Sequence, residues 1–527
     1  MAARCGRTTC PARAGLPSRR SFRAPYNFLL CLRACERGIP LEPKVDLLVV
    51  GGGINGAGIA RDAAGRGLSV LLCERGDLAC ATSSWSSKLI HGGLRYLEQY
   101  EFRLVAEALA EREVLLKVAA HLVWPARFVM PHVPELRPRW MIRAGLFLYD
   151  HLARRTSLPG SGAVRLDALP YNAGLKPDFK HGFIYSDCRV DDARLVIANA
   201  MDARERGVRV LTRTECLSAT RQGGLWKASL SNGEQVSATA IVNATGPWVK
   251  SMLNARLSQP SRDAVRLVKG SHIVLPRLYG GEHAFILQND DRRVVFMIPY
   301  GDLHTLVGTT DIAVQDESTA PEASAEEIDY LCRAVNRYLA RPARPEQVVW
   351  RYAGVRPLYD DGTDDPSAVT RDYTLRVDDD AGRAPVLSVF GGKITIYRRL
   401  AEQAMDMLAR YFPAMKPAWT DRSPLSGSDF GNATRVEARD AFFASHPAID
   451  EATLRPIFRR HGTHAQAVVG DGDLGEDFGG GLSERELRYF VEREWAQTAE
   501  DVLWRRSKTG LLMTPAQRER VAQVLGR

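Results

Sequence analysis

Residues 45–77 read "VDLLVVGGGINGAGIARDAAGRGLSVLLCERGD" and combine apolar runs with closely spaced glycines. The apolar run LLVV is typical of a strand buried on both faces of a parallel sheet. Gly51, Gly53 and Gly56 follow as G-x-G-x-x-G, which permits a tight turn, a close approach to a pyrophosphate and close packing of helix on strand. We expect this anion at the N-terminus of a helix that begins near Asn55, because unpaired N–H groups and the helix dipole favour negative charge there.

A second strand and an acidic residue complete this pattern. The helix is predicted to end at Gly67, the run "LSVLLC" is predicted to form the second strand, and Glu74 follows it. A carboxylate at this place suits a pair of ribose hydroxyls and argues against a ribose 2′-phosphate. All parts occur in the required order, so we predict a dinucleotide site, although the pattern does not separate NAD from FAD.

The length and the charge of the chain limit the classes of protein to which it can belong. A chain of 527 residues is too long for one simple core, so two or more domains are expected. The formal charge of +9 depends on residues 1–35, which contain seven arginines and no acid, and the rest of the chain is nearly neutral. A nucleic-acid partner is therefore not expected. Residues 1–40 are predicted to be a disordered or targeting-like extension, because this part is rich in arginine and shows no continuous apolar periodicity, and a start codon placed too early is the alternative. Its apolar stretch FLLCL is too short to span a bilayer.

The nine cysteines show no metal-binding or disulfide pattern. Four of them lie in residues 1–35, and the others are scattered without C-x-x-C spacing. We therefore expect reduced thiols and no metal site.

The segment after Glu74 departs from the compact repeat of an NAD dehydrogenase. Residues 77–97, "DLACATSSWSSKLIHGGLRYL", are rich in small hydroxyl residues and then in glycines. Such a segment lets backbone lie flat against a ligand while hydroxyl and N–H groups donate hydrogen bonds to it. The alternative is a polar loop. The residues predicted to contact a cofactor here are Thr82, Ser83, Ser87, Lys88, His91 and Gly92.

Two later passages repeat the strand-to-glycine arrangement. Residues 225–248 predict a hairpin that turns at 231–234, then a strand leading into a second glycine turn. Residues 386–412 predict a third strand, a third glycine turn and a helix whose N-terminus can stabilise negative charge on a reduced flavin. Three such passages favour a prosthetic FAD. The predicted cofactor contacts in these passages are Gly246, Gly391, Gly392, Lys393 and Thr395.

Several long motifs, in order over residues 41–510, resemble the FAD-dependent glycerol-3-phosphate dehydrogenases. Besides the opening glycines and the hydroxyl-rich segment, they are "NATGPW" (243–248), "KGSHIV" (269–274), "GVRPL" (354–358), "RDYTL" (371–375), "FGGKITIYR" (390–398) and "QTAEDVLWRR" (497–506). The resemblance implies FAD, oxidation of sn-glycerol 3-phosphate to dihydroxyacetone phosphate, and electron delivery to a membrane quinone.

We therefore predict an α/β fold with interleaved parts. Residues 41–424 are expected to form a Rossmann-like FAD-binding domain together with an antiparallel substrate-binding sheet. Residues 425–527 are expected to form an all-helical domain without catalytic residues, a cap or a support for a possible homodimer. Within it, Ser483 and Glu486 are predicted to form a capping box.

A phosphomonoester substrate requires fixed cations, ideally guanidinium groups that bind it through two donors. The candidates are Arg95, Arg356 and Arg371, with Lys393 as a further cation and Tyr96 as a hydroxyl donor. Of these, Arg356 and Arg371 match substrate-site positions of the resembled family. Each arginine taken alone also fits a solvated surface charge.

Oxidation of an alcohol also requires a base for the hydroxyl proton. His272 is the leading candidate because imidazole titrates near neutral pH, and a hydrogen-bonded strand histidine is the alternative interpretation. His91 is the second candidate for the base, although it is more readily placed beside the flavin. Arg356 is also expected to stabilise the developing alkoxide.

Residues 137–155, "RPRWMIRAGLFLYDHLARR", combine aromatic and aliphatic side chains with five arginines. This composition suits a helix that lies on anionic lipid, and an ordinary amphipathic helix with a solvated face fits almost as well. The expected location is the cytoplasmic face of the cell membrane, as a peripheral protein, and the mitochondrial inner membrane is less favoured.

Three other functions remain open from the residues alone. An oxidase of the same fold would pass electrons to oxygen, a flavin-binding protein without turnover would only hold the cofactor, and an NAD-linked dehydrogenase would need added nicotinamide.

Overall fold

The computed structural model describes residues 43–526, apart from 134, 136, 155, 156, 262, 264, 292, 316–320 and 361–371. The predicted extension 1–40 and the predicted phosphate ligand Arg371 therefore lie outside the described residues.

The described strands fall into two sheets. In chain order they are β1 Lys44–Val50, β2 Val70–Cys73, β3 Leu89–Ile90, β4 Val123–Pro131, β5 Gly162–Arg165, β6 His181–Val190, β7 Arg209–Leu211, β8 Cys216–Gln222, β9 Leu225–Leu230, β10 Gln235–Asn243, β11 Val265–Pro276, β12 Ala284–Gln288, β13 Val294–Tyr300, β14 His304–Gly308, β15 Ile312–Val314, β16 Trp350–Tyr359, β17 Thr374–Asp380 and β18 Arg383–Phe390.

The helices of five or more residues follow the same chain order. They are α1 Ile54–Gly65, α2 Phe102–Val118, α3 Arg139–His151, α4 Asp192–Glu205, α5 Ala325–Asn336, α6 Tyr397–Leu408, α7 Arg435–Ala444, α8 Glu451–His461, α9 Ala465–Val469, α10 Glu484–Glu494 and α11 Pro515–Val524, with a 3₁₀ helix at Leu94–Gln99 and π-helical segments at Met252–Arg256 and Asp501–Arg506.

The first sheet has a parallel centre in the order β18-β10-β1-β2-β7. Strand β17 adds to β18 antiparallel, and the β8–β9 hairpin extends β10 antiparallel. Val50, the last residue of β1, is in register with Asn243 of β10 and Cys73 of β2. The carboxyl ends of these central strands therefore meet at one edge of the sheet, where ligands bind in open α/β folds.

Strand β1 is buried on both faces of the sheet, because its alternate side chains pack against different elements. Leu47 and Val49 pack among residues of α1, α4 and α6, whereas Leu48 and Val50 pack against the β8–β9 hairpin and the segment 249–257. Because successive side chains point to opposite faces, an unbroken apolar run is required for burial on both. The predicted Rossmann-like core is confirmed.

The second sheet is almost entirely antiparallel, in the order β15-β11-β14-β13-β12-β4-β6-β3, with β16 on β11 and β5 on β6. The sheet was predicted to be antiparallel, but strands β4 and β12 pair in parallel. Helix α5 packs on one face and helices α2 and α3 on the other.

The C-terminal part contains α7 to α11, and its helical character was predicted. Of the two hydrogen bonds that the predicted capping box at Ser483 and Glu486 requires, only one is present. Ser483 accepts from the Glu486 N–H at 3.3 Å, but the Glu486 carboxylate binds Arg460 and His461 instead of returning to the helix start. A buried ion pair with arginine offers this carboxylate stronger hydrogen bonds than a backbone N–H.

Along the described ranges, none of the helices has both the length and the apolar character that crossing a lipid bilayer requires.

Candidate active site

The glycine turn after β1 brings the backbone so close to itself that side chains are excluded. Gly51 has a φ of +111°, and a Cβ on Gly56 would lie 1.9 Å from the Gly51 carbonyl oxygen. Gly53 is the N-cap of α1. The turn therefore presents the start of a helix with no side chain in the way, which suits a pyrophosphate.

A cavity of about 1100 Å³ lies at the carboxyl ends of the parallel strands and has walls from both sheets. This volume is at the upper limit of ordinary ligand sites, as a dinucleotide together with a substrate requires. Among the residues predicted from sequence, those that line it are Gly51, Gly53, Glu74, Thr82, Ser83, Ser87, His91, Tyr96, Gly246, His272, Arg356, Gly391, Gly392, Lys393 and Thr395.

Four predicted residues are not part of the cavity wall. Lys88 pairs instead with Asp192, at 2.9 Å, because its buried ammonium group needs a carboxylate. The Gly92 N–H donates to the Tyr149 hydroxyl at 2.8 Å and so faces away. Arg95 lies on the 3₁₀ helix Leu94–Gln99, and Gly56 packs α1 against the glycine turn.

Glu74 supports the glycine turn as well as lining the cavity. Its Oε2 accepts from the Gly52 N–H at 2.7 Å, and its Oε1 accepts from the Gly76 N–H at 2.8 Å. Burial raises the pKa of this carboxyl group, and the two backbone hydrogen bonds partly oppose that rise. Each carboxylate oxygen has a second lone pair for a ribose hydroxyl, so the side chain suits both tasks.

We expect Glu74→Ala to raise the dissociation constant for the dinucleotide roughly 10- to 100-fold, because charge-assisted hydrogen bonds are lost. Melting temperature should also fall, since the Gly52 and Gly76 N–H groups lose their acceptor. Binding is measured by titrating the protein freed of cofactor. Glu234→Ala is the matched control, because Glu234 forms an ion pair with Arg209 and does not line the cavity. If the affinity of Glu74→Ala for the dinucleotide is unchanged, Glu74 does not bind the ribose.

The hydroxyl-rich segment contacts the glycine turn and the second sheet. Ser83 Oγ accepts from the Ile54 N–H at 3.0 Å, and Thr82 Oγ1 donates to the Val355 carbonyl at 2.6 Å. Asn55 Nδ2 donates to the Gly391 carbonyl at 3.2 Å, while Asn55 Oδ1 is buried and has no hydrogen-bond partner among the described residues. Sequence reasoning missed Asn55, although a polar side chain in the first turn of a dinucleotide-binding helix is a usable signal.

His272 stands on β11 inside the cavity wall. Its Nε2 lies 2.9 Å from Ser87 Oγ, and its ring stacks on Tyr352 with centroids 4.8 Å apart. Burial, assisted by the charges of Lys88 and Arg356, holds the pKa of His272 well below its usual value. The imidazole is therefore neutral at physiological pH and is able to accept a proton.

His91, Lys393 and Tyr96 form another part of the wall. Burial and the charge of Lys393 lower the pKa of His91 to about 4, so this imidazole is neutral too. Lys393 Nζ lies 3.8 Å from the centre of the Tyr96 ring, within cation–π distance. A cation and a phenol hydroxyl therefore lie together in the cavity.

Arg356 is held in place by the connection between β14 and β15. Its Nη2 donates to the Thr310 carbonyl at 2.8 Å, and its Nη1 lies 2.7 Å from Asp311 Oδ1. These contacts orient the guanidinium plane before any ligand binds. A pre-oriented fork suits an oxyanion that accepts from two donors.

Glu327, at the start of α5, was not recognised from the sequence. Its Oε1 accepts from Ser271 Oγ at 2.8 Å and from Thr310 Oγ1 at 2.7 Å. Ser271 precedes His272, and Thr310 carries the carbonyl that holds Arg356. One buried carboxylate thus supports both predicted catalytic residues, a link between distant segments that no local motif reveals.

The C-terminal part, which was predicted to lack catalytic residues, also contributes to the cavity wall. Glu500 and Arg505 line the cavity. Arg505 is 6% exposed, and its Nε donates to Asp77 Oδ2 at 2.6 Å.

Comparison with known proteins places this architecture in a family. A model of the FAD dependent oxidoreductase family matches residues 46–398, and a model of the C-terminal domain of alpha-glycerophosphate oxidase matches residues 418–526. In fold, the chain is similar to a glycerol-3-phosphate dehydrogenase from Bacillus halodurans complexed with FAD. The TM-score is 0.67 at 24% identity, with 92% of this chain and 94% of the other covered.

Two curated relatives extend over nearly the whole chain. Aerobic glycerol-3-phosphate dehydrogenase of Escherichia coli (strain K12) is 52% identical over 495 residues, which cover 92% of this chain and 98% of the relative. D-erythritol 1-phosphate dehydrogenase of Brucella abortus (strain 2308) is 49% identical over 487 residues, covering 90% and 97%. The resemblance inferred from the motifs is confirmed, and the chain belongs to the family of FAD-dependent glycerol-3-phosphate dehydrogenases.

Proposed function

We propose that the protein oxidises the C2 hydroxyl of sn-glycerol 3-phosphate, yields dihydroxyacetone phosphate and passes the electrons to a membrane quinone. The observation that carries this proposal is one cavity in which a dinucleotide-binding glycine turn, a neutral histidine and a pre-oriented arginine occur together. When bound, FAD would supply the acceptor for the hydride that leaves C2.

The glycine turn, the orphaned Asn55 Oδ1 and the cavity volume fit this cofactor. We assign its contacts to the predicted residues of the wall, with the pyrophosphate at the start of α1 and a ribose at Glu74. Gly246, Gly391, Gly392 and Thr395 are assigned to the remaining wall.

The phosphate is assigned to Arg356 and Lys393, with the Tyr96 hydroxyl as a further donor. A phosphomonoester dianion placed there would be bound by charge-assisted hydrogen bonds. Arg371 and Arg95 remain predicted ligands: Arg371 lies outside the described residues, and Arg95 is not among the residues that line the cavity.

His272 is assigned as the base that takes the proton of the C2 hydroxyl. Its Nδ1 is buried and has no hydrogen-bond partner in the described part of the chain. An imidazole that is neutral and incompletely bonded has a free capacity to accept a proton, which general base catalysis requires. Arg356 would stabilise negative charge on the same oxygen as the proton leaves.

The electron acceptor is tested by supplying alternatives to the full-length holoenzyme. With glycerol 3-phosphate present, we expect rapid reduction of a soluble quinone analogue and little hydrogen peroxide in air. Peroxide formed in step with substrate consumption would instead identify an oxidase. If neither acceptor is reduced and no ketone forms, the protein only binds flavin.

Helix α3 supports the assignment of a membrane surface. Trp140 is 70% and Phe147 59% exposed, next to the exposed Met141 and Leu148, while Arg139 and Arg143 add positive charge. Exposed aromatic residues beside arginines suit the interface of an anionic bilayer. We accordingly assign the protein to the cytoplasmic face of the cell membrane, and a homodimer remains a prediction.

We expect Trp140→Asp and Phe147→Asp each to lower binding to vesicles that contain anionic lipid by about tenfold or more, because an aromatic side chain leaves the interface and a repelled charge replaces it. Vesicle co-sedimentation measures this. Val436→Asp is the control, since Val436 is an exposed apolar residue, at 49%, on α7 instead of α3. Equal losses in all three variants would show that α3 is an ordinary solvated helix.

A further inference from the structure

The C-terminal segment 500–506 reaches the part of the cavity that contains Glu74. We propose that Arg505 and Arg506 are positioning residues for FAD, acting through Asp77 on the segment that carries Glu74. The inference depends on FAD as the cofactor and not on which alcohol is oxidised.

Asp77 is buried, and both of its carboxylate oxygens accept hydrogen bonds from these two arginines. Arg505 Nε donates to its Oδ2 at 2.6 Å, Arg506 Nη1 donates to the same oxygen at 2.5 Å, and Arg506 Nη2 donates to Oδ1 at 2.8 Å. Asp77 is 3% exposed and Arg506 is 0% exposed. Since water cannot replace the arginines, removal of either one leaves a buried carboxylate incompletely paired.

Asp77 lies between two backbone groups that hold the ribose-binding side chain and the glycine turn. On one side, the Gly76 N–H donates to Glu74 Oε1 at 2.8 Å. On the other, the Ala79 N–H donates to the Gly52 carbonyl at 3.1 Å. Anchoring Asp77 therefore limits how far the Glu74 carboxylate and the glycine turn can move apart.

A second link between the same segments runs through Asp501. It accepts from Arg505 Nη2 and, at 2.8 Å, from Arg213 Nη2. The Arg213 N–H in turn donates to the Gly76 carbonyl at 2.7 Å. The backbone N–H groups of Gln497 and Thr498 complete the bonding of Asp501 and fix it at the start of the π-helical segment. Two connected ion pairs thus join the C-terminal part to the Glu74 segment.

We expect the two arginines to affect the binding of only the adenosine half of FAD. Glu74 is placed to bind the ribose of the adenosine half, whereas His91 and Thr395 line the wall elsewhere. Disturbing Asp77 should therefore weaken contacts to the adenosine half and leave those to the flavin mononucleotide half unchanged.

Two ligands separate this role from general destabilisation. FAD and FMN are titrated into the full-length protein freed of cofactor, and FAD release is followed from the holoenzyme by flavin fluorescence. For Arg505→Gln and for Asp77→Asn, we expect the dissociation constant for FAD to rise roughly 10- to 100-fold, with that for FMN unchanged within about twofold. The release of FAD should accelerate by a similar factor.

Arg460→Gln is the matched control. Arg460 forms a buried two-donor pair with Glu486, at 2.7 and 2.6 Å, inside the C-terminal part. This variant should lower the melting temperature without changing the ratio of FAD to FMN affinity. Proportional loss of both ligands in Arg505→Gln and Asp77→Asn, or no loss of FAD, would overturn the proposal. If Arg505→Gln does not fold, the FAD-to-FMN ratio of Asp77→Asn decides.

Discussion

Replacing His272 with asparagine is expected to lower kcat for glycerol 3-phosphate by about 100- to 10,000-fold, the usual contribution of a general base. Asparagine cannot take up the hydroxyl proton, although its amide can still hydrogen-bond Ser87. Flavin content should stay near that of the parent, because His272 is assigned to the proton and not to holding the cofactor. Steady-state kinetics with a saturating quinone analogue measures the change.

His283→Asn is the control for His272. His283 is likewise buried and directly precedes β12 of the second sheet, and burial likewise lowers its pKa, to about 4, but it does not line the cavity. We expect at most a small change in kcat. A loss in His283→Asn as large as that in His272→Asn would mean that both histidines act through packing.

The pH dependence of the parent enzyme follows from the direction of the pKa shift. A base acts only when unprotonated, so activity falls as the pH drops through its pKa. Because burial and two nearby cations lower the pKa of His272, kcat should be level around neutral pH and should fall only well below pH 6.5. An acid limb centred near or above neutral pH would contradict this environment for the base.

Replacing Arg356 with lysine is expected to lower kcat/KM for glycerol 3-phosphate by roughly 30- to 1000-fold, equivalent to about 2–4 kcal/mol. One ammonium group cannot reproduce two parallel donors, and Asp311 and the Thr310 carbonyl lose the partner they now orient. Part of the loss should appear in kcat, because phosphate-binding energy that is used in the transition state raises turnover.

The comparison with unphosphorylated glycerol shows whether Arg356 binds phosphate. The parent enzyme should strongly prefer the phosphate ester, and Arg356→Lys should reduce that preference. Arg371→Lys, measured in parallel, tests the second predicted arginine. Arg266→Lys is the control, since Arg266 pairs with Asp360 next to β16 but does not line the cavity. If Arg356→Lys lowers activity toward both substrates by one factor, the arginine is structural.

A short sequence motif predicts those site residues whose positions are determined by the backbone geometry of the motif itself. The glycines after β1, the carboxylate after β2 and the glycine pair after β18 each follow from the backbone geometry that a nearby ligand requires. The structure brings Gly51, Gly53, Glu74, Gly391 and Gly392 to one cavity. His272 and Arg356, predicted in separate motifs, face the same space because β11 and β16 pair in register.

The predicted residues that do not line the cavity, and the residues that the motifs did not reveal, depend on contacts across long stretches of chain. Lys88 is drawn away from the cavity by Asp192, which lies 104 residues later. Arg505 reaches Asp77 across 428 residues, and Glu327 joins Ser271 to Thr310 from another helix. Charge and spacing within a motif do not predict these ion-pair and hydrogen-bond partners, because the packing of the sheets and the C-terminal helices determines which residues meet.

Oxidation of glycerol 3-phosphate by the bound flavin is tested by adding this substrate to the purified holoenzyme in the absence of oxygen and of any added acceptor. We predict that the visible absorbance of the flavin is lost rapidly and stoichiometrically, that dihydroxyacetone phosphate appears, and that glycerol and an erythritol phosphate act far more slowly. Protein that contains flavin but keeps its colour with glycerol 3-phosphate would show that this compound is not the substrate, and faster bleaching by the erythritol phosphate would assign the cavity to a longer substrate.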